Sequence, residues 1–163
     1  MVAGRVVVLG AALGLTLGGL GQSGRPRGPR REPSEIHLPA LINTCLITSH
    51  MSEMLAFYRQ VLEMTPQLSG SDYAEFRTPL AVLALFSAEA QEKYIPQATA
   101  PASNRSAILE FEVLDVDVEY ARLQKMVRIW VKPPTTQPWG TRSVYFRDPD
   151  GNLVDFFAQV KRS

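Results

Sequence analysis

One cysteine and two histidines are all the thiol and imidazole chemistry that this 163-residue sequence offers. Cys45 has no histidine near it in the sequence to draw off its proton, so it reads as a small apolar group and not as a nucleophile. A lone cysteine also excludes an intramolecular disulfide framework and a cysteine-rich zinc site, and it leaves the redox compartment open. His37 stands in a Pro- and Arg-rich stretch. His50 opens a helix beside a serine cap, where a solvated or capping role is the ordinary one. Acid–base work would then fall to carboxylates and a phenol, with Glu110 or Asp155 as general base and Tyr145 as acid or orienting donor.

Two of those three residues lie in the most informative stretch, Trp139 to Phe157, which spells a β-hairpin. Ser143 to Arg147 alternates small or polar residues with apolar and aromatic ones. Asp148-Pro149-Asp150-Gly151-Asn152 supplies the turn, Pro149 pre-setting φ and Gly151 free to take φ > 0, and Leu153 to Val160 resumes as a second strand.

The composition is that of a globular domain with a real core: 45% hydrophobic and 20% charged residues. With a net charge of +1 and interleaved signs beyond the N-terminus, nucleic acid is excluded as an expected partner. Residues 6–20 form an uncharged apolar run behind Arg5, with Gly19 and Gly21 at −3 and −1 positions of a cleavage site. The run is short for a membrane span, and Arg25, Arg27, Arg30 and Arg31 follow it. Three readings stay open for 1–21: a cleaved export signal, a short membrane-contacting anchor with the domain inside, or an upstream extension that leaves the protein cytoplasmic. Residues 22–39, rich in Gly, Pro, Ser and Arg, read as a flexible linker.

The folded domain, 40–163, is expected to begin near Ala40. Its first module, 40–87, holds a strand over Leu41 to Thr48 and a helix over Met51 to Leu62. That helix is capped by Ser49 or Ser52, with Met51, Leu55, Tyr58 and Leu62 on one face. Strands follow over Met64 to Leu68, Tyr73 to Arg77 and Ala81 to Phe86. Residues 88–105, with Pro96 and Pro101, read as a connection. In the second module, 106–160, the order repeats: a strand over Ala107 to Val113, a helix over Val116 to Met126, and strands over Arg128 to Lys132, Ser143 to Arg147 and Leu153 to Val160. A duplicated β-α-β-β-β unit is inferred from element order.

Phe57-Tyr58-Arg59-Gln60-Val61-Leu62 in the first helix, Trp139-Gly140 with Arg142, and Asp-Pro-Asp-Gly-Asn followed by Asp155 together resemble the vicinal oxygen chelate superfamily. It contains glyoxalases, bleomycin and fosfomycin resistance proteins and extradiol dioxygenases. The resemblance covers residues 41–160. It implies an α+β fold in which two βαβββ modules curl a mixed sheet into an open cup, helices outside and ligand inside. It further implies a divalent metal held by a histidine on each module's first strand and a glutamate on the last strand. Those positions fall here on Asn43, Ile108 and Asp155, and a further glutamate position of glyoxalase-type members falls near Ala84. One Asn and one Asp are poor substitutes for the usual three or four ligands, so no cofactor is expected and a divalent metal is disfavoured.

If Asp155 faces the cup as the resemblance implies, strand parity sends Leu153, Phe157, Ser143, Tyr145 and Arg147 the same way, and Val144, Phe146, Val154 and Phe156 toward the helices. Asn43, Cys45, Ile47, Ile108, Glu110 and Glu112 would line the first strands, with Trp130 and Arg142 near the rim. The expected function is metal-independent binding or sequestration of a small organic molecule, aromatic or cationic. A cofactor-free lyase or isomerase, a metal-dependent glyoxalase or dioxygenase, and an interaction module with a filled cup are the alternatives. Whether the protein is an enzyme stays open, as does assembly of the cup within one chain or across a homodimer.

Overall fold

The computed structural model describes residues 41–160. The signal-like run, the linker and His37 lie outside the described residues. No helix among those described is long and apolar enough to cross a membrane.

The chain runs β1 (Asn43–Thr48), α1 (Met51–Val61), β2 (Gln67–Ser69), β3 (Tyr73–Arg77), β4 (Val82–Ser87), α2 (Ala88–Tyr94), β5 (Ile108–Glu112), α3 (Val116–Leu123), β6 (Ile129–Thr136), β7 (Thr141–Arg147) and β8 (Leu153–Gln159). The strands form two four-stranded sheets, ordered β1-β4-β3-β2 and β5-β8-β7-β6. In each, the first strand lies parallel to the last and the remaining neighbours are antiparallel. The duplicated order expected from the sequence is thus matched by duplicated topology.

One face of each sheet is apolar because alternate residues share it. Val144, Phe146, Val154 and Phe156 pack with Val61, Val116 and Leu123, while Leu46, Phe76, Leu83 and Leu85 pack with Met54 and Tyr58. Phe57, Leu62, Leu109 and Phe111 touch both clusters and join the modules into one core. Phe146 is fully buried and meets Phe57, Trp130 and Phe156 at 5.3–6.4 Å between ring centroids. Burying such a side chain contributes roughly 1.5–3 kcal/mol.

Several details differ from expectation. α1 turns its buried face slightly, onto Met54, Tyr58 and Val61, with Met51, Leu55 and Leu62 flanking it. Its N-cap is His50, which gives no side-chain cap, in place of either serine; the His50 amide instead donates to Thr48 Oγ1 at 2.9 Å. The connection 88–105 contains α2, whose N-cap Ser87 accepts from the Ala90 amide and whose Ala-Glu-Ala-Gln-Glu-Lys-Tyr sequence is made of good helix formers. β6 runs on through Pro133 and Pro134 to Thr136. That is tolerable because it is the sheet's edge strand and its register slips on both sides of Lys132.

Candidate functional site

Residues paired across neighbouring strands point to the same side of a sheet. On the second sheet, Glu110 pairs with Asp155, Asp155 with Tyr145, and Tyr145 with Lys132. Two acids, a phenol and an amine therefore form a row across all four strands on the face turned from the helices. Ile108, Leu153 and Arg147 make the row on one side, and Glu112, Phe157 and Ser143 the row on the other.

Asp155 is the unusual member of this row. It is 2% exposed, and its Oδ1 is buried without a hydrogen-bond partner. Burial is the main cause that lifts its carboxyl to a pKa of about 6, with the Glu110 charge adding to the rise; the neighbouring Tyr145 and Ser143 hydroxyls offset part of it. Desolvation of Tyr145 likewise raises its phenol above the ordinary value. Near neutral pH the site thus holds a carboxyl poised between its two protonation states, with one oxygen bare.

The first sheet has an equivalent row: Cys45, Ala84, Glu75 and Gln67, paired in turn. Here the polar groups are largely spent on each other. Asn43 Nδ2 donates to the Tyr73 hydroxyl at 3.2 Å, that hydroxyl donates to Glu75 at 3.0 Å, and Glu75 pairs with Arg77. Only Asn43 Oδ1 is left buried and unpartnered in this cluster. Cys45 is exposed, and desolvation raises its thiol pKa, the opposite of what a nucleophile needs.

Asn43, Cys45, Ile108, Glu110, Tyr145, Asp155 and Phe157 fall on the open faces of their sheets. Trp130 and Arg142 do not, and both are corrections. Trp130 pairs with Phe146 on the helix side and packs edge-on against Tyr120 of α3 at 4.7 Å. The register slip between Trp130 and Lys132 breaks strand parity, so these residues, two apart, face opposite ways. Arg142 shares the Val144 side, where Nε and Nη2 grip the Asp117 carboxylate of α3 at 2.6 Å each; it braces sheet to helix. Lys132, Tyr73 and Glu75 were missed.

His50 does more than cap. Its Nδ1 meets Asp150 Oδ1 at 2.9 Å, and that hydrogen bond is the chief cause raising its pKa. The turn it holds is tied by hydrogen bonds centred on Asp148. Asp148 accepts from the Tyr58 hydroxyl, the Asn152 amide and Asn152 Nδ2, each at 2.8 Å, and Gly151 takes φ +83°. The Asp-Pro-Asp-Gly-Asn motif is therefore a structural clasp, not a reaction centre.

The donors present do not fit a divalent metal. At the family's ligand positions only the Asn43 amide oxygen and the Asp155 carboxylate could ligate, since Ile108 is aliphatic and 47% exposed and Ala84 has no donor, and Asp155 alone brings charge. Among the described residues, no three His, Cys, Asp or Glu side chains converge as a metal site requires. Asp155 lines neither of the cavities of about 610 and 460 Å³, although its neighbours Ile108, Glu110 and Glu112 line the larger.

Comparison with known proteins bears on this geometry. Residues 40–156 match the model of the Glyoxalase/Bleomycin resistance protein/Dioxygenase superfamily. Uncharacterized protein YraH of Bacillus subtilis is 26% identical over 126 residues, 74% of this chain and 98% of that one. A glyoxalase/bleomycin resistance protein/dioxygenase from Nocardioides superposes with a TM-score of 0.65 at 26% identity, covering 80% of this chain and 89% of its own. A family enzyme from Burkholderia phytofirmans PsJN gives a TM-score of 0.67 at 19% identity, covering 75% and 100%.

Proposed function

The chain belongs to the glyoxalase/bleomycin resistance protein/dioxygenase superfamily, and from that premise we propose that it binds a small organic molecule on the open face of its second sheet without a metal. The observation that carries this reading is the buried Asp155 carboxyl with its bare Oδ1 between Glu110 and Tyr145. A ligand hydroxyl, amide or ammonium would supply the missing donor, and Leu153 and Phe157 offer apolar surface beside it. The acids favour a cationic or donor-rich aromatic ligand. Metal independence rests on the donor set, which leaves Asp155 as the one charged group at the family's ligand positions.

A second reading is favoured by one further fact. A carboxyl with a pKa of about 6 beside a phenol suits a general base and an orienting donor, which would make the protein a cofactor-free lyase or isomerase.

The test is elemental analysis of the full chain, then thermal shifts with Zn, Ni, Mn and Fe(II) and a screen of aromatic amines, run on wild type and Asp155→Asn. The expected result is no stoichiometric metal and ligand stabilisation that Asp155→Asn abolishes. Stoichiometric metal, or ligands that stabilise both proteins equally, would overturn the reading. Turnover of a bound ligand that Asp155→Asn stops would promote the enzyme.

A further inference from the structure

The row of polar groups on the open face of the second sheet begins with two acids, Glu110 and Asp155, and ends with a cation, Lys132, on the edge strand β6. Lys132 makes no ion pair among the described residues. Its ammonium donates to Gln137 Oε1 at 3.3 Å. An ammonium can only donate, so this contact fixes Oε1 as the acceptor of the amide and leaves Nε2 as its donor. Gln137 is 6% exposed, and its Nε2 is buried without a partner.

Strand parity puts this amide on the same face. Beyond the register slips Thr135 pairs with Ser143 on the open side, and Gln137 follows two residues on, its backbone amide donating to the Thr141 carbonyl at 2.7 Å. Asp155 Oδ1 and Gln137 Nε2 are therefore a bare acceptor and a bare donor on one face. The first sheet also has a cation beside its row, but a spent one: Arg77 pairs with Glu75 and donates to Gln67 Oε1 at 2.8 Å. Neighbouring strands lie about 4.8 Å apart, so Asp155 and Lys132, two strands from each other, are held roughly 10 Å apart with Tyr145 between them.

We propose that the ligand of this face is amphoteric. Its ammonium sits at Asp155 and Glu110, a flat apolar body covers Tyr145 and Phe157, and a carboxylate is received by the Lys132 ammonium and Gln137 Nε2. The proposal rests on the reading of Asp155 as a ligand site and adds the opposite pole, which sets a length. With a hydrogen bond of about 2.8 Å taken up at each pole, the two charges of the ligand stand roughly 6–10 Å apart. An α-amino acid, with both charges on one carbon, cannot reach both poles.

The test is calorimetric titration of the full chain at about pH 7.5 with 4-(aminomethyl)phenylacetate, benzylamine, phenylacetate and phenylalanine. The first probe carries its charges across a ring and is expected to bind about tenfold more tightly than any of the others, because the second contact is made intramolecularly. Lys132→Met is expected to lower its affinity to that of benzylamine and to leave benzylamine unchanged, while Lys132→Arg keeps the gain. Asp155→Asn is expected to abolish binding of benzylamine. Equal affinities for the first two probes, or a gain that survives Lys132→Met, overturn the amphoteric ligand and leave the Asp155 reading standing. Benzylamine binding that Asp155→Asn does not change overturns the Asp155 reading instead, and no binding of any probe overturns both.

Discussion

Asp148 and Asp155 lie seven residues apart on either side of one turn, each only 2% exposed, and they have opposite surroundings. Asp148 sits where the hairpin meets α1 and accepts three hydrogen bonds at 2.8 Å. Asp155 sits mid-sheet, with one oxygen bare and a second acid opposite it. Burial raises both carboxyls above the ordinary value; at Asp148 the Asn152 and Tyr58 hydrogen bonds offset part of that rise, whereas Asp155 keeps one oxygen without a partner. A buried acid with its bonds made is architecture, and one left short is where a ligand has something to gain. The family's motif marks the first kind, so recognising the motif locates the fold and not the chemistry.

The comparison breaks most visibly at Asp148. Asp148→Ala leaves the Tyr58 hydroxyl and Asn152 buried without their acceptor, and the expected loss is about 3 kcal/mol in urea unfolding at pH 7. A loss under about 1 kcal/mol would mean that the turn does not depend on its carboxyl.

Asp155→Asn should act in the opposite direction. The folded pKa of about 6 lies above the ordinary aspartate value of 3.8, so the folded state holds this proton more tightly than the unfolded one. Wild-type stability therefore falls as pH rises from about 4 to about 6 and stays lowered above that. The amide removes that penalty, so the variant is expected to be about 1–2 kcal/mol more stable at pH 7 and no more stable at pH 4. Destabilisation at both pH values would show that the Asp155 carboxylate is structural after all.

A finer probe is the titration of Asp155 itself, followed by carboxyl NMR in the absence of ligand. Tyr145→Phe removes a group that lowers its pKa and should move it further up, while Glu110→Gln removes a like charge and should move it down. Shifts of the same sign in both variants would dissolve the row as an electrostatic unit.

The duplicated order, the hairpin and the facing of Tyr145 and Asp155 were all legible in the sequence, because strand parity and turn chemistry are local. Trp130 and Arg142 were not. The slip at Lys132 reverses parity within a two-residue step, and the partner of Arg142, Asp117, comes from a helix whose rotation against the sheet no spacing encodes. α2 hid behind the prolines that follow it, although Ser87 before a run of helix formers was a readable start signal. The burial of Asp155 was illegible for another reason: exposure is decided by neighbours on other strands, and the same carboxylate at the sheet's rim would be solvated.

The smallest effect expected lies at the rim of the clasp, where His50 meets Asp150. His50 is largely exposed, while the Asp150 side chain is only 2% exposed and keeps its Oδ2 buried without a partner. The hydrogen bond and the charge of Asp150 raise the folded pKa of His50, while desolvation opposes them and the charge of Glu53 adds to the rise. A histidine whose pKa is raised on folding contributes stability that is complete below its unfolded pKa and is lost as pH rises through the folded one. The Tm of His50→Ala should thus fall below wild type at pH 5.5 and approach it by pH 8.5. A difference that is constant across that range would mean that His50 holds Asp150 as a neutral donor, and that the clasp, like its Asp148 centre, works by hydrogen bonding and not by charge.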